Sequence, residues 1–184
     1  MRRQSLQDSG SNLGRAAIVM GAMALGTWSC ASTAPATKAA EVEQLQCDSG
    51  TSDGADLQMI GQLTVLSVHP VYSYVHTATT GTDKVVVGAK LLIRPPEAVD
   101  SQRVLRILQC HSARAVLGKL DPSMFPSDPF WLAGAWLEID VVPEAGNLGV
   151  TVQGEGIHEN LEVLARARAF ATTHKSPPLS AAPG

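Results

Sequence analysis

The chain has 184 residues, 14 of them basic and 17 acidic, for a net charge of −3. That balance, with no basic run, excludes the electrostatic footprint of a nucleic-acid binder and gives no attraction to anionic lipid. At 45% hydrophobic residues there is enough apolar side chain for one folded core.

Residues 1–29 read as a processing signal rather than as fold. MRRQSLQDSGSNLGR is a basic leader, and Ala16–Trp28, AAIVMGAMALGTW, is an apolar stretch too short to span a bilayer comfortably. Ser29-Cys30-Ala31 follows. This leader resembles that of bacterial lipoprotein precursors, in which a small residue precedes a cysteine that becomes the acylated first residue of the mature chain. Thr27 stands where an aliphatic residue is usual, and Trp28 also departs from the pattern. The resemblance covers the leader alone and implies lipidation of Cys30. It further implies a membrane held through that lipid and an envelope protein as the candidate partner. Ala31 after the cysteine is not a retention signal of the aspartate type, which directs the expectation to the outer membrane, facing the periplasm. The alternative is cleavage after Ala36, where Ala34 and Ala36 form an A-x-A site and release a secreted protein. Arg2-Arg3 with Leu6 touches the twin-arginine export pattern, with Ser5 where Phe is usual.

With Cys30 acylated, Cys47 and Cys110 remain, and an even number in an oxidising compartment suggests one disulfide. It would close a loop of about 60 residues, worth ~4 kcal/mol in the chain-entropy model. Without the leader's three arginines and one aspartate, the balance becomes 11 basic against 16 acidic residues, a net of −5.

Residues 30–62 have the composition of a flexible, lipid-anchored linker: Ser, Thr, Ala and Gln first, then the polar run Asp48-Ser49-Gly50-Thr51-Ser52-Asp53-Gly54. That run fails the calcium-loop pattern, because Gly50 and Met59 stand where carboxylates are needed. A domain is expected over 63–172. Thr64–Thr80 is β-rich, with Pro70 marking a bend or an edge and a strand expected over about 72–79. Gly81-Thr82-Asp83 turns, and Lys84–Arg94 alternates, with Val85, Val87, Ala89, Leu91 and Ile93 on one face.

Asp100–Leu117 is the main helix. Val104, Leu105, Leu108, His111, Ser112, Ala115 and Val116 form its apolar arc; Asp100 or Ser101 caps its start and Gly118 stops it. It carries the only adjacent reactive pair, Cys110 and His111. Cys110 falls on the flank with Arg103, Arg106 and Arg114, where cations favour a thiolate, unless it is inert or disulfide-bonded. His111 lies at the edge of the apolar arc, as a hydrogen-bonded histidine or as a base.

Lys119–Gly134 contains three prolines, and four of the seven mature aromatics lie within twelve residues: Phe125, Phe130, Trp131 and Trp136. They are either a lid on the core or a contact surface. Ala135–Pro143 alternates, Pro143–Asn147 turns, and Leu148, Val150 and Val152 face inward on the next strand. A second helix spans about 158–171, with Leu161, Leu164, Ala165 and Ala167 apolar, and the tail 173–184 is rich in Pro, Ser and Ala, the composition of a disordered segment.

The predicted fold is α+β: tandem strand–strand–helix units forming an antiparallel four-stranded sheet with two helices on one face. Its other face would carry Lys84, Lys90, Glu138, Asp140 and Glu155. Glu138 and Asp140 share a strand face at about 7 Å, as an acid/base pair would and as charges on an open sheet face also do. The histidines His69, His76, His111, His158 and His174 lack zinc-site spacing. Gly154-Glu155-Gly156 is a weak anion-nest pattern. No nucleophile elbow, P-loop or dinucleotide fingerprint is present, so no cofactor, metal or catalytic residue is implied. The expected function is a non-catalytic binding or assembly module of the cell envelope, contacting its partner through Phe125, Phe130, Trp131 and Trp136. The alternative is a secreted or periplasmic enzyme, or a redox or metal protein, using Cys110 and His111.

Overall fold

The computed structural model describes residues 34–47, 53–77, 81–97, 99–121 and 126–175. The chain divides into Met1–Ser32, which lies outside the described residues, and Thr33–Gly184. The second unit carries every described element: helices α1 (Pro35–Gln46) and α2 (Asp53–Gln62), strands β1 (Thr64–Thr77) and β2 (Gly81–Arg94), helix α3 (Ser101–Val116), strands β3 (Glu138–Glu144) and β4 (Asn147–Gln153), and helix α4 (Ile157–Thr173). The sheet is antiparallel, in the order β1-β2-β4-β3. One contiguous core joins Val65, Ala89, Leu91, Ile93, Ile139, Val141, Val150 and Val152 of the strands to Val104, Leu108, Val163, Leu164 and Phe170 of α3 and α4. The expected α+β fold, with both helices on one sheet face, is therefore present.

Among the described helices none is long and apolar enough to cross a membrane. Within the linker expected over 30–62, residues 35–46 and 53–62 are helical instead, while 30–33 and 48–52, with most of the polar run, lie outside the described residues. Pro35 opens α1 at a position that needs no N–H. Ala39 and Val42 then pack with Ala113, Val116 and Trp136. Met59, Ile60 and Leu63 enter the main core. These stripes are too short to stand out against small and polar neighbours. Both helices are marginal alone in water at this length and depend on docking.

Helix α3 begins and ends as its sequence dictates. Asp100 accepts the N–H of Arg103 at 2.7 Å, and Gly118, at φ +69°, lets the chain turn back so that its N–H and that of Lys119 bond the carbonyls of Ala115 and Arg114. Asp100→Ala is expected to cost about 1 kcal/mol, read as a shift of the urea midpoint at unchanged slope. The buried face is broader than the predicted arc, because Cys110, Ala113 and Arg114 are buried as well. The reason is α1, which covers the flank that sequence periodicity leaves to solvent.

Strand β1 starts at Thr64 and runs through Pro70. Proline is tolerated there because β1 is an edge strand. The register slips twice: Leu66 is extra on β1, and Val87 is extra on β2. The second bulge changes the facing of β2, so Val86 rather than Val85 or Val87 packs against the core. Lys84 then shares the face of Tyr72, with its Nζ 3.6 Å from the ring centroid, which corrects its assignment to the opposite face. Gly88 sits beside this bulge at φ +151°, and a Cβ there would meet the Val152 carbonyl oxygen at 2.3 Å; only glycine fits.

Strand β3 begins at Glu138 rather than Ala135, after an isolated Leu132–Ala135 bridge. Ala145 and Gly146 make the two-residue turn to β4 at φ +48° and +79°, the left-handed pair that a tight hairpin requires. Helix α4 buries Asn160, Val163, Leu164, Ala167 and Phe170. Leu161 is half exposed and Ala165 exposed, a rotation of the predicted face. The folded unit also extends past 172, since Lys175 bridges Val65 and the Val65 N–H donates to the His174 carbonyl at 2.8 Å.

Candidate interaction surface

The central helix holds the first two sequence candidates. Cys110 is 3% exposed and disulfide-bonded to Cys47, with the Cα atoms 5.6 Å apart. The expected bridge is thus present, and the sulfur that thiol chemistry would use is already bonded. Of the flanking arginines, Arg103 and Arg106 are exposed, whereas Arg114 is buried and donates from Nη1 to Asp56 Oδ2 at 2.9 Å. That pair ties α2 to α3.

His111 is a buried hydrogen-bonded histidine. Its Nε2 meets Oδ2 of Asp128, whose Oδ1 accepts the Phe130 N–H at 2.8 Å. Both side chains are 2% exposed. An acid orienting an imidazole is a recurring catalytic pairing. Here both carboxylate oxygens are engaged, one by the imidazole and one by the loop backbone, so the pair fixes the loop to the helix. Asp128 was missed because it lies in a proline-rich stretch with no periodicity to place it.

The aromatic loop is corrected as a contact surface. Phe130, Trp131 and Trp136 are 0%, 7% and 8% exposed, and Phe125 lies outside the described residues. Phe130 packs edge-on to Phe170 with centroids 5.6 Å apart. Trp131 lies under the Arg166 guanidinium, and its carbonyl accepts from that side chain. Trp136 fills the gap between α1 and α3, and its indole N–H reaches Glu138 at 3.2 Å. These rings seal the helix layer, where their apolar area is worth more than in water.

The remaining chemical patterns are structural. Glu138 and Asp140 are exposed on β3. The amides of the Gly154-Glu155-Gly156 turn are taken by α4 itself: Asn160 Oδ1 accepts from Gly154 at 2.7 Å and Glu159 Oε2 from Gly156 at 2.5 Å. The histidines do not assemble; His174 stacks on Phe170, and His76 Nδ1 lies 3.0 Å from Thr82 Oγ1. Among the described residues, no group of three or more His, Cys, Asp or Glu could hold a metal ion.

What the fold does present is an arm. Strand β4 pairs with β2 only from Ala89 to Ile93, so Val71–Thr77 and Gly81–Gly88 continue as a two-stranded ribbon beyond the sheet. Tyr72, Tyr74 and His76 occupy one face, opposite Val86, Lys84 and Thr82. Tyr72, Tyr74 and Val75 are 44%, 66% and 47% exposed. A two-stranded ribbon alone is marginal in water, and leaving large side chains exposed forfeits on the order of 1 kcal/mol or more each. Exposed tyrosines are typical contact residues, apolar in body and polar at the tip. The sequence signal was the alternation of Tyr72, Tyr74 and His76; what it lacked was the point at which β4 stops supporting the hairpin. No family model matches the chain, and no curated protein or solved structure matches it.

Proposed function

We propose that this chain is a cell-envelope lipoprotein, anchored through Cys30, whose α+β unit binds or assembles with another envelope protein without catalysing a reaction. The contact surface in this reading is the β1–β2 arm, with Tyr72 and Tyr74 at its centre. The observation that carries the reading is the exposed tyrosine face on a ribbon projecting past the sheet. The leader pattern supports the anchor, and a disulfide that staples α1 to α3 suits an oxidising compartment. With the aromatic loop buried and Cys110 bonded, the arm replaces both earlier candidate sites.

Two measurements test it. The intact mass of protein from its own envelope is expected to show a diacyl or triacyl addition, and Cys30→Ala to move the protein from the membrane to the soluble fraction. Tyr72→Ser with Tyr74→Ser is expected to change stability by less than about 1 kcal/mol, as for exposed sites, while removing partner cross-links formed from the arm. An unmodified mass defeats the anchor. Cross-links that survive both tyrosine replacements defeat the arm.

A further inference from the structure

A second apolar surface lies on α4, and its argument stands without the tyrosine arm or the lipid anchor. Helix α4 buries Asn160, Val163, Leu164, Ala167 and Phe170 on one side. On the other side Ile157 and Leu161 are 61% and 50% exposed, and Ala165 and Ala169 are exposed as well. These four recur at every fourth position, so they form one ridge along the helix, with His158 and Arg168 at its margins. A helix at the surface of a domain ordinarily turns charge to its outer face. Here the outer ridge is apolar, and exposed apolar strips mark contact surfaces.

The ridge is graded along its length. Its two large residues, Ile157 and Leu161, stand in the N-terminal half of α4; Ala165 begins the other half and Ala169 follows. This gradient makes the ridge complementary to itself in one orientation. With two copies antiparallel about a two-fold axis level with position 163, Leu161 of each lies over Ala165 of the other, and Ile157 over Ala169. Every level then pairs a large side chain with a small one, as interdigitated packing requires. A parallel pair would set large on large and alanine on alanine. Charge follows the same order: Glu159 and Glu162 precede Arg166 and Arg168, so only the antiparallel pair brings the acidic half of one helix beside the basic half of the other. That order also suits the helix's own dipole, but the dipole does not account for the apolar ridge.

From this geometry we infer that two copies of the chain associate through α4, antiparallel about a two-fold axis beside Leu161 and Ala165. An isologous contact needs one patch that carries both the knob and its hole, and this ridge carries both. A lipid surface would use Ile157 and Leu161 and leave the spacing of the alanines without a role. Contact along the roughly 25 Å of α4 covers on the order of 1,000 Å² over the two copies, the low end of specific interfaces, so the association is weak and reversible.

The test is sedimentation equilibrium of the purified full-length protein from micromolar to submillimolar concentration. A reversible monomer–dimer equilibrium is expected. Leu161→Ala empties the hole and Ala165→Leu overfills it, so each should weaken the dimer about tenfold. Combining the two exchanges knob and hole and should return the affinity to within about threefold of the original. An equimolar mixture of the two single variants should recover it as well. Neither site is buried, so circular dichroism and the melting temperature should change little in any variant. Tyr72→Ser with Tyr74→Ser should leave the dimer unchanged, which separates this contact from the arm. The proposal is overturned by a dimer indifferent to both single replacements, by one that Ala165→Leu tightens, as a parallel pair would, or by failure of the double variant to recover. It is equally overturned if the tyrosine replacements abolish the dimer, or if deleting 1–32 or 176–184 changes its affinity tenfold in either direction, since the arm or that segment would then make or cover the contact. A protein that stays monomeric also overturns it, and loss of phosphatidylcholine vesicle binding in Leu161→Ala would then make lipid the occupant.

Discussion

Replacing Asp128 with alanine lowers the stability of the folded unit by about 3–5 kcal/mol. Two losses add: the carboxylate–imidazole bond, a charge-assisted bond worth about 1.5–3 kcal/mol, and the acceptor for a buried amide, about 1–3 kcal/mol when left unsatisfied. The first is the bond to His111 Nε2, and the second leaves the Phe130 N–H without its acceptor. Both groups are buried too deeply for water to replace the carboxylate easily, at 2% and 0% exposure for His111 and Phe130. Asp128→Asn keeps the shape and an acceptor oxygen, so it should cost less, about 1–2 kcal/mol. A cycle of Asp128→Ala, His111→Ala and the double variant should be strongly non-additive, since the residues share one interaction. Urea unfolding measures all three. A loss below about 1 kcal/mol, the net value of an ordinary hydrogen bond, for Asp128→Ala would mean that the loop is held by its aromatic rings alone.

That loop also marks the limit of what composition could say. Phe130, Trp131 and Trp136 cluster visibly, but whether a ring faces inward depends on what lies opposite, here Phe170, Arg166 and α1. The strands were legible where both neighbours supply a ladder: Ala89, Leu91 and Ile93 on β2 and Leu148, Val150 and Val152 on β4 are all buried as their alternation requires. Legibility failed at Val87, where one extra residue reverses the facing of everything before it. It failed again at Leu161, because Phe170 and Val163 set the face of α4 and a single leucine does not. The main helix could be read from Asp100 to Gly118, but its second buried flank could not. Cys110, Ala113 and Arg114 are covered by α1 and α2, whose few apolar residues carry no periodic signal. The disulfide was the one long-range restraint that counting residues made accessible. The tyrosine arm required knowing where β4 ends.

The disulfide also sets the second large effect. In Cys47→Ser with Cys110→Ser, stability should fall by about 4 kcal/mol, because a bridge across 63 positions removes that much loop-closure entropy from the unfolded chain. The native contacts of α1 cannot offset the loss. Ala39 and Val42 are its packing residues against α3 and Trp136, and its ion pairs, Lys119–Glu43 and Lys38–Glu155, lie at the surface, where such pairs are worth about 0–1 kcal/mol. A 12-residue helix has little stability of its own once undocked. The hydrogen-bonded amides of α1, from Lys38 to Gln46, should therefore lose protection from hydrogen exchange first, while those of β2 and β4 keep theirs until global unfolding. The order matters for the covered flank of α3: release of α1 uncovers Ala113 and Trp136, so the variant should bind a hydrophobic dye before its sheet unfolds. A loss under about 1 kcal/mol, far below the chain-entropy value, with α1 still protected, would show that packing rather than the bridge holds α1 in place.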